Sequence, residues 1–144
     1  MHDLRYREHA PPPDLADGVE CIWTLRSDGP LAGVRLNRVL PDGCTDVILD
    51  AGAAQPQGAP SHRLRSRVVG AMLRPAQVWM TGEVDLLGVR FHPGGAPAFL
   101  RLPLAEITDA AVPLADVWGA LAGELEERVS GAGGADPVRV VVGA

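Results

Sequence analysis

Apolar and polar residues alternate along the chain as far as His92, which is the pattern of β-strands with one buried face. The alternation is clearest from Val19 to Arg26, where apolar side chains occupy one face and mostly polar ones the other. Pro41-Asp42-Gly43 interrupts the pattern and predicts a tight turn. We predict strands over the following segments, the first of them at a sheet edge: Leu4–Glu8, Val19–Arg26, Val34–Leu40, Thr45–Leu49, Arg67–Leu73, Ala76–Thr81 and Val84–His92.

The period of the pattern changes after Pro93-Gly94-Gly95. Ala96–Leu100 is predicted to form a short helix, and Pro113–Ser130 a longer amphipathic helix. The apolar residues of the longer helix recur at steps of three and four positions: Leu114, Val117, Trp118, Leu121, Leu125 and Val129. Strands followed by helices predict the α+β class, with a small antiparallel β-barrel or sandwich followed by C-terminal helices.

A length of 144 residues fits one compact domain. We expect residues 1–130 to form this domain, and residues 131–144 to be a flexible tail or the start of a linker. The net charge of −5 argues against a stand-alone nucleic-acid-binding protein, which usually carries a basic face.

Two features of the sequence indicate where the protein resides. No apolar stretch reaches the roughly 18–20 residues that a membrane-spanning helix needs. The first residues, MHDLRYREHAPPP, lack the apolar core of a signal peptide. We therefore expect a cytoplasmic protein without membrane contact, in which Cys21 and Cys44 stay reduced.

The sequence carries no recognisable catalytic or metal-binding motif. The histidines are scattered, the two cysteines lack the spacing of zinc ligands, and no nucleophile elbow, P-loop or dinucleotide fingerprint occurs. We predict no enzymatic activity, no cofactor and no bound metal. A metal site from convergence of Cys21, Cys44 and His92 stays open, although buried structural cysteines are the simpler interpretation.

Charged residues on apolar strand faces are the first candidates for ligand binding. Arg38 either contacts a ligand or forms an ion pair with Asp42 or Asp46 that fixes the turn between two strands. Arg90 and His92 share a face near the end of a predicted strand. They form either the anion- or hydroxyl-binding edge of a pocket or a strand end that emerges into solvent.

The three tryptophans are the second group of candidates. Trp23 and Trp79 lie in predicted strands, and Trp118 lies in the last predicted helix. Large aromatic side chains usually anchor a core, so a core position is the default interpretation for all three. For Trp23 and Trp79, the lining of a ligand pocket is the alternative.

An ordered set of segments resembles one family of bacterial proteins, the N-terminal domains of a subset of AraC-type transcription activators. The similarity extends from about Tyr6 to Val129, and no single motif decides it. The segments that carry it are Tyr6-Arg7-Glu8, Val19–Trp23, Arg38–Asp46, Val69–Met72, Leu87–Gly95, Ala105–Asp109 and Leu114–Val129.

The resemblance implies a cupin-like domain that senses a small-molecule effector and forms homodimers. Such a domain is normally followed by two helix-turn-helix motifs, for which a chain ending at Ala144 has no room. The chain is then either a fragment or a stand-alone sensor, and any DNA contact belongs to an absent C-terminal domain. On this view a ligand binds between the strands at Trp23, Arg38, Asp46, Trp79, Arg90 and His92, and dimers form through Leu114, Val117, Trp118, Leu121 and Leu125.

Three alternatives to the sensory domain stay open. The first is a small cupin-like enzyme or metal-dependent protein, and the second is a stand-alone protein-interaction module. The third is redox sensing by Cys21 and Cys44, which requires Cα atoms about 4.4–6.8 Å apart.

Overall fold

The computed structural model of the protein describes residues 4–33, 35–39, 43–50, 66–80, 82–100, 103–131 and 139. Within these ranges the chain has an α+β fold, as predicted, in which strands come first and most helices follow. The strands are β1 (Leu4–His9), β2 (Val19–Ser27), β3 (Arg35–Val39), β4 (Asp46–Asp50), β5 (Arg67–Val69), β6 (Ala76–Met80), β7 (Asp85–Phe91) and β8 (Ala111–Pro113).

The strands form an open six-stranded antiparallel sheet in the order β1-β2-β7-β4-β5-β8, and a two-stranded antiparallel sheet of β3 and β6. Strand β7 lies near the centre of the larger sheet, between β2 and β4. Its run from Leu86 to Val89 is buried throughout, which explains why apolar residues follow one another there. The register pairs Arg90 of β7 with Cys21 on one side and with Asp46 on the other.

One face of the six-stranded sheet is covered by the helices. The helices are α1 (Pro97–Leu100), α2 (Leu114–Trp118) and α3 (Ala120–Gly131), and a 3-10 helix spans Leu104–Ile107. Alternate residues of β4 and β7 point into this main core, which forms because apolar side chains leave water. Its strand members are Val19, Ile22, Val47, Leu49, Val68, Leu87, Val89 and Phe91.

The opposite face of the same sheet holds a smaller apolar cluster. Cys21, Trp23 and Leu86 of the sheet pack there with Met80 at the end of β6. Leu31 and Val84 complete the buried part of this cluster. The side chains of adjacent residues in β2 and β7 therefore enter two different cores.

The prediction of one helix over Pro113–Ser130 is wrong. Pro113 belongs to β8 and pairs with Arg67, and α2 ends at Trp118, just before Gly119, whose φ of 59° lies in the left-handed region. A glycine reaches that conformation without steric cost, so the chain turns there before α3 begins. The short helix predicted at Ala96–Leu100 is confirmed as α1.

The predicted strands are confirmed with small shifts of their ends, except that Arg67–Leu73 shortens to the three residues of β5. The chain leaves the sheet at Gly70, where a Cβ atom would overlap the carbonyl of Ile107. Gly43 has the positive φ, 70°, expected at the predicted turn. Val34, Leu40, Pro41, Asp42 and residues 51–65 lie outside the described residues. No helix in the described ranges has both the length and the apolar character to cross a membrane.

Candidate functional site

Arg90 is a charged residue in the interior of the six-stranded sheet, and two carboxylates face its guanidinium group. Its Nε atom lies 3.5 Å from Oδ1 of Asp46, and its Nη1 atom lies 3.6 Å from Oε1 of Glu8. The Arg90 side chain is 21% exposed and that of Asp46 is 13% exposed, whereas that of Glu8 is 55% exposed. The two carboxylates therefore lie in unequal environments.

Asp46 is held in place by Trp23. The indole Nε1–H donates a hydrogen bond of 3.1 Å to Oδ2 of Asp46. The indole lies directly against Gly88 of β7, where a Cβ atom would overlap the ring. A glycine in the interior of a strand often marks such a close approach. Gly88 thus lets Trp23 lie flat on the sheet and reach Asp46.

Tyr6 and Glu8 extend this group of side chains to the edge of the sheet. The register of β1 on β2 places Glu8 opposite Trp23 and Tyr6 opposite Leu25. The Tyr6 hydroxyl donates a hydrogen bond of 2.9 Å to Oε1 of Glu8, and its ring centroid lies 6.0 Å from that of Trp23. Tyr6, Glu8, Trp23, Asp46 and Arg90 are called the Arg90 cluster below.

The environment of the cluster fixes the protonation states of its members. Burial lowers the pKa of Arg90, but the combined effect of the Asp46 carboxylate, Tyr6 and Cys21 outweighs burial and raises the pKa above its ordinary value. Arg90 is therefore charged at every pH at which the protein is used. Burial, together with the hydrogen bond to Glu8, raises the pKa of Tyr6 to about 12. At neutral pH Tyr6 is a neutral hydrogen-bond donor.

Cys21 adjoins the cluster but is poorly suited to nucleophilic chemistry. Burial raises the pKa of its thiol to about 11. Arg90 opposes this rise, and the nearby carboxylates, each with a weaker effect than Arg90, add to it: Glu8, Glu20 and Asp46. The reactive form of cysteine is the thiolate, which is scarce at neutral pH when the pKa is high. The arrangement as a whole offers charged and neutral hydrogen-bond donors, which suit binding.

The strand order argues against a simple redox pair of Cys21 and Cys44. Both are free thiols, and β7 lies between the strand of Cys21 and the strand that follows Cys44. Neighbouring strands lie about 4.7–4.9 Å apart, so two strand spacings exceed the reach of a disulfide. The Cys44 thiol instead donates to Oε2 of Glu20 at 3.5 Å. Among the described residues, no three His, Cys, Asp or Glu side chains are grouped as metal ligands would be.

The structure brings together three of the six predicted ligand-binding residues, namely Trp23, Asp46 and Arg90. The backbones of Arg38 and Trp79 lie in β3 and β6, where they pair with Gln77 and Leu36. Their side chains lie outside the described part of the chain, so their role stays a prediction. The ion pair that was predicted between Arg38 and Asp42 or Asp46 stays a prediction for the same reason.

His92 lies beyond the end of β7 and contacts the turn before β2. Its backbone N–H donates to the carbonyl of Gly18 at 2.8 Å, and its Nε2 atom lies 3.2 Å from the carbonyl oxygen of Ala16. These contacts connect two loops and involve no member of the Arg90 cluster. A role of His92 in ligand binding stays a prediction without a contact to support it.

Sequence reasoning did not select Tyr6 and Glu8 as ligand-binding residues. The alternation in β1 does place both on one face of an edge strand. Their partners, however, depend on the register of β1 against β2, which the pattern alone does not determine. The sequence pattern therefore predicts that Tyr6 and Glu8 share a face of β1, but it does not predict which residues they contact.

The predicted dimerisation stripe mostly covers the protein's own sheet. Leu114 and Leu125 are buried in the main core, and Val117 and Trp118 pack against it. Trp118 also donates a hydrogen bond of 3.0 Å to the carbonyl of Phe99. Of the five predicted residues only Leu121 is exposed, at 38%.

The family described as a domain of unknown function, DUF6597, matches residues 7–113, so the chain belongs to this family. The matched segment runs from β1 to β8 and contains every member of the Arg90 cluster except Tyr6. No curated protein and no solved structure matches the chain.

Proposed function

We propose that this member of the DUF6597 family is the ligand-sensing and dimerisation domain of an AraC-type transcription regulator. The ordered set of segments from Tyr6 to Val129 supports the regulator, and the Arg90 cluster supports the sensing role. A charge in the interior of a sheet costs free energy unless it is paired, and apolar residues would often stabilise the sheet better. Such charged networks are typical of functional sites.

The proposal places a small-molecule effector on the Arg90 face of the six-stranded sheet. In a cupin-like arrangement this face would be the interior of a barrel, and β3 and β6 would form the opposite wall. The packing of Met80, at the end of β6, with Cys21 and Trp23 supports this placement. Trp23 and Asp46 would orient Arg90, whose guanidinium would contact the effector.

The effector acts in this proposal by shifting the domain between two states. A ligand can do this only by binding one state more tightly than the other. The domain would be cytoplasmic, and DNA would be read by a separate helix-turn-helix domain of the regulator. No catalytic step and no cofactor is part of the proposal.

The test is native mass spectrometry of the purified wild-type protein and of Arg90→Gln. We expect the wild type to carry a small organic molecule in fixed stoichiometry, and Arg90→Gln to lose it because the guanidinium contact is gone. Arg128→Gln on the exposed surface of α3 is the matched control and should keep the molecule. A folded Arg90→Gln protein that retains the same molecule would contradict the assignment.

A homodimer is the second part of the proposal, and Leu121 is the residue through which to test it. Leu121→Glu should convert dimers to monomers in size-exclusion chromatography without disturbing the fold, since this side chain is exposed. The same change at Leu125 would introduce a charge into the core and is unsuitable. Unchanged dimers of Leu121→Glu would exclude α3 as the interface.

A stand-alone interaction module is the alternative function, and the loop between β5 and β6 favours it. Leu73 is 74% exposed. Oδ1 of Asp109 accepts hydrogen bonds from the backbone N–H groups of Leu73 and Arg74, at 2.7 and 3.2 Å. An exposed leucine on a loop held in this way suits contact with another protein. Loss of dimers in Leu73→Glu, but not in Leu121→Glu, would support this alternative.

A further inference from the structure

The two carboxylates of the Arg90 cluster differ in how firmly they are held. Asp46 is mostly buried and accepts the indole hydrogen bond of Trp23. Glu8 is 55% exposed on an edge strand, where it accepts a hydrogen bond from Tyr6 and lies 3.6 Å from Nη1 of Arg90. Asp46 is thus a fixed part of the sheet, whereas the Glu8 side chain can rotate into water without any change in the backbone.

We propose that the Arg90 cluster binds the carboxylate group of a small organic acid, which takes the position of the Glu8 carboxylate beside Nη1 of Arg90. This inference rests on the proposed function and names the chemical class of its effector.

The contact between Arg90 and Glu8 is longer than a guanidinium–carboxylate hydrogen bond. Charge-assisted hydrogen bonds between a guanidinium and a carboxylate are about 2.7–2.9 Å long. The separation of 3.6 Å from Glu8 is longer, so this contact is an ion pair and not a hydrogen bond. A free carboxylate is not tethered to β1 and can approach to hydrogen-bonding distance. Partly exposed ion pairs contribute little to stability, so Glu8 is easily displaced.

The cluster contains one guanidinium and two carboxylates, so an anionic ligand binds beside Arg90 only in exchange for Glu8. Arg90 stays charged because Asp46 faces it, and its guanidinium attracts a carboxylate to the position that Glu8 leaves. When one ligand carboxylate replaces Glu8, the net charge beside Arg90 does not change. A monocarboxylate therefore fits the electrostatics of the cluster without a further counter-ion.

Tyr6 supplies a surface for the remainder of the acid. Its side chain is 49% exposed, and its ring lies next to the buried Trp23. When Glu8 rotates away, the Tyr6 hydroxyl loses its acceptor and can donate to the incoming carboxylate. The same residue can therefore contact both the polar and the apolar part of an organic acid.

Acetate is the probe that tests the carboxylate position directly. The titration follows the indole N–H resonance of Trp23, which is identified by its absence in Trp23→Phe, and uses chloride at equal ionic strength as reference. We expect the dissociation constant of acetate to be about two- to fivefold lower for Glu8→Ala than for the wild type, because one competing ion pair is removed. Glu8→Gln, which keeps the size of the side chain, should shift in the same direction.

Two further proteins separate this effect from general ion binding. Glu127→Ala removes a carboxylate from the exposed surface of α3 and should bind acetate as the wild type does. Glu8→Ala/Arg90→Gln should lose the response to acetate. Benzoate should bind Glu8→Ala more tightly than acetate, since its ring can pack on Tyr6.

The inference is overturned if Glu8→Ala and Glu8→Gln respond to acetate no more than to chloride. It is also overturned if the double variant responds as strongly as Glu8→Ala. A neutral or cationic molecule that the wild type carries and Arg90→Gln loses would refute the carboxylate but leave the proposed function intact. If the protein binds acetate as expected but the wild type carries no molecule that Arg90→Gln loses, the proposed function is contradicted and the carboxylate position is not.

Discussion

The two faces of the six-stranded sheet are built from the same strands but carry different chemistry. On the helix-covered face, Val47 and Val89 are paired neighbours in the main core. One position along each strand, Asp46 and Arg90 are paired neighbours on the opposite face. Because side chains alternate along a strand, each segment contributes at once to an apolar core and to a charged cluster. The comparison indicates that the helix-covered face stabilises the fold, and it supports our proposal that the Arg90 face binds a ligand.

The expected contributions to folding stability also differ between the two faces. Full burial of a valine or leucine side chain contributes about 1.5–3 kcal/mol to folding. A buried ion pair contributes little net stability, because desolvation offsets the attraction between the charges. The charged face is therefore not explained by stability alone.

The largest loss of stability should follow from a substitution on the helix-covered face of the sheet. Leu87→Ala leaves a cavity in the main core, where Leu87 is 2% exposed. We expect the free energy of unfolding in urea to fall by about 2–5 kcal/mol. Leu73→Ala at an exposed position is the control and should change stability by less than about 0.5 kcal/mol. A small effect of Leu87→Ala would contradict the view that this face holds the fold together.

A smaller loss of stability is expected when one of the two charged residues of the Arg90–Asp46 pair is replaced. Asp46→Asn leaves the partly exposed guanidinium of Arg90 without its nearest counter-charge, and should lower the free energy of unfolding by about 1–3 kcal/mol. Arg90→Gln should lower the free energy of unfolding less in the Asp46→Asn protein than in the wild type, because the ion pair with Asp46 is already broken there. Urea denaturation of the four proteins in this double-mutant cycle measures the coupling. Strictly additive effects would show that the two charges do not stabilise each other.

Gly88→Ala tests how the Arg90 face is assembled. The added methyl group would overlap the indole of Trp23, so we expect a loss of about 1–3 kcal/mol and displacement of the ring. The displacement should appear as a shift of the Trp23 indole resonance. Gly123→Ala in α3 meets open space and should instead raise stability by about 0.5–1 kcal/mol. Equal behaviour of the two variants would argue against close packing of Trp23 on Gly88.

The smallest expected effect is the change of stability with pH that the titration of Tyr6 causes. Tyr6 is the single tyrosine of the chain. Its pKa of about 12 exceeds the ordinary value of 10, so the folded state holds the phenol proton more tightly than the unfolded state. The associated stability is present below pH 10 and declines as the pH rises from 10 towards 12. Ultraviolet titration should give a midpoint near 12, and a lower one in Glu8→Gln. A wild-type midpoint near 10 would contradict the hydrogen bond and the burial of Tyr6.

Local patterns were sufficient to predict seven of the eight strands among the described residues. The single apolar face predicted for β2 is wrong, because Val19 lies in the main core whereas Cys21 and Trp23 lie in the cluster on the opposite face. Alternation identified Val19–Arg26 and Val84–His92, because each strand has to place apolar residues on at least one face. The break at Gly119 and the three-residue strand β8 were missed. Both are set by tertiary packing rather than by a periodic signal.

The partners within the candidate site could not be predicted in the same way. Arg90 and Trp23 were chosen individually, as a polar and an aromatic residue in predicted strands, and Asp46 was chosen as a possible partner of Arg38. Their contacts depend on the strand order β2-β7-β4, which brings together segments far apart in the chain. Glu8 was missed because its role depends on pairing at the sheet edge.

The central claim is that the Arg90 face binds the effector while the helix-covered face maintains the fold. Arg90→Gln and Val89→Ala change neighbouring residues on opposite faces of β7, so comparing their bound ligand by native mass spectrometry tests the claim most directly. The account predicts that Val89→Ala is less stable but retains the organic molecule of the wild type, and that Arg90→Gln loses it. Retention by Arg90→Gln together with loss from a folded Val89→Ala would contradict the account.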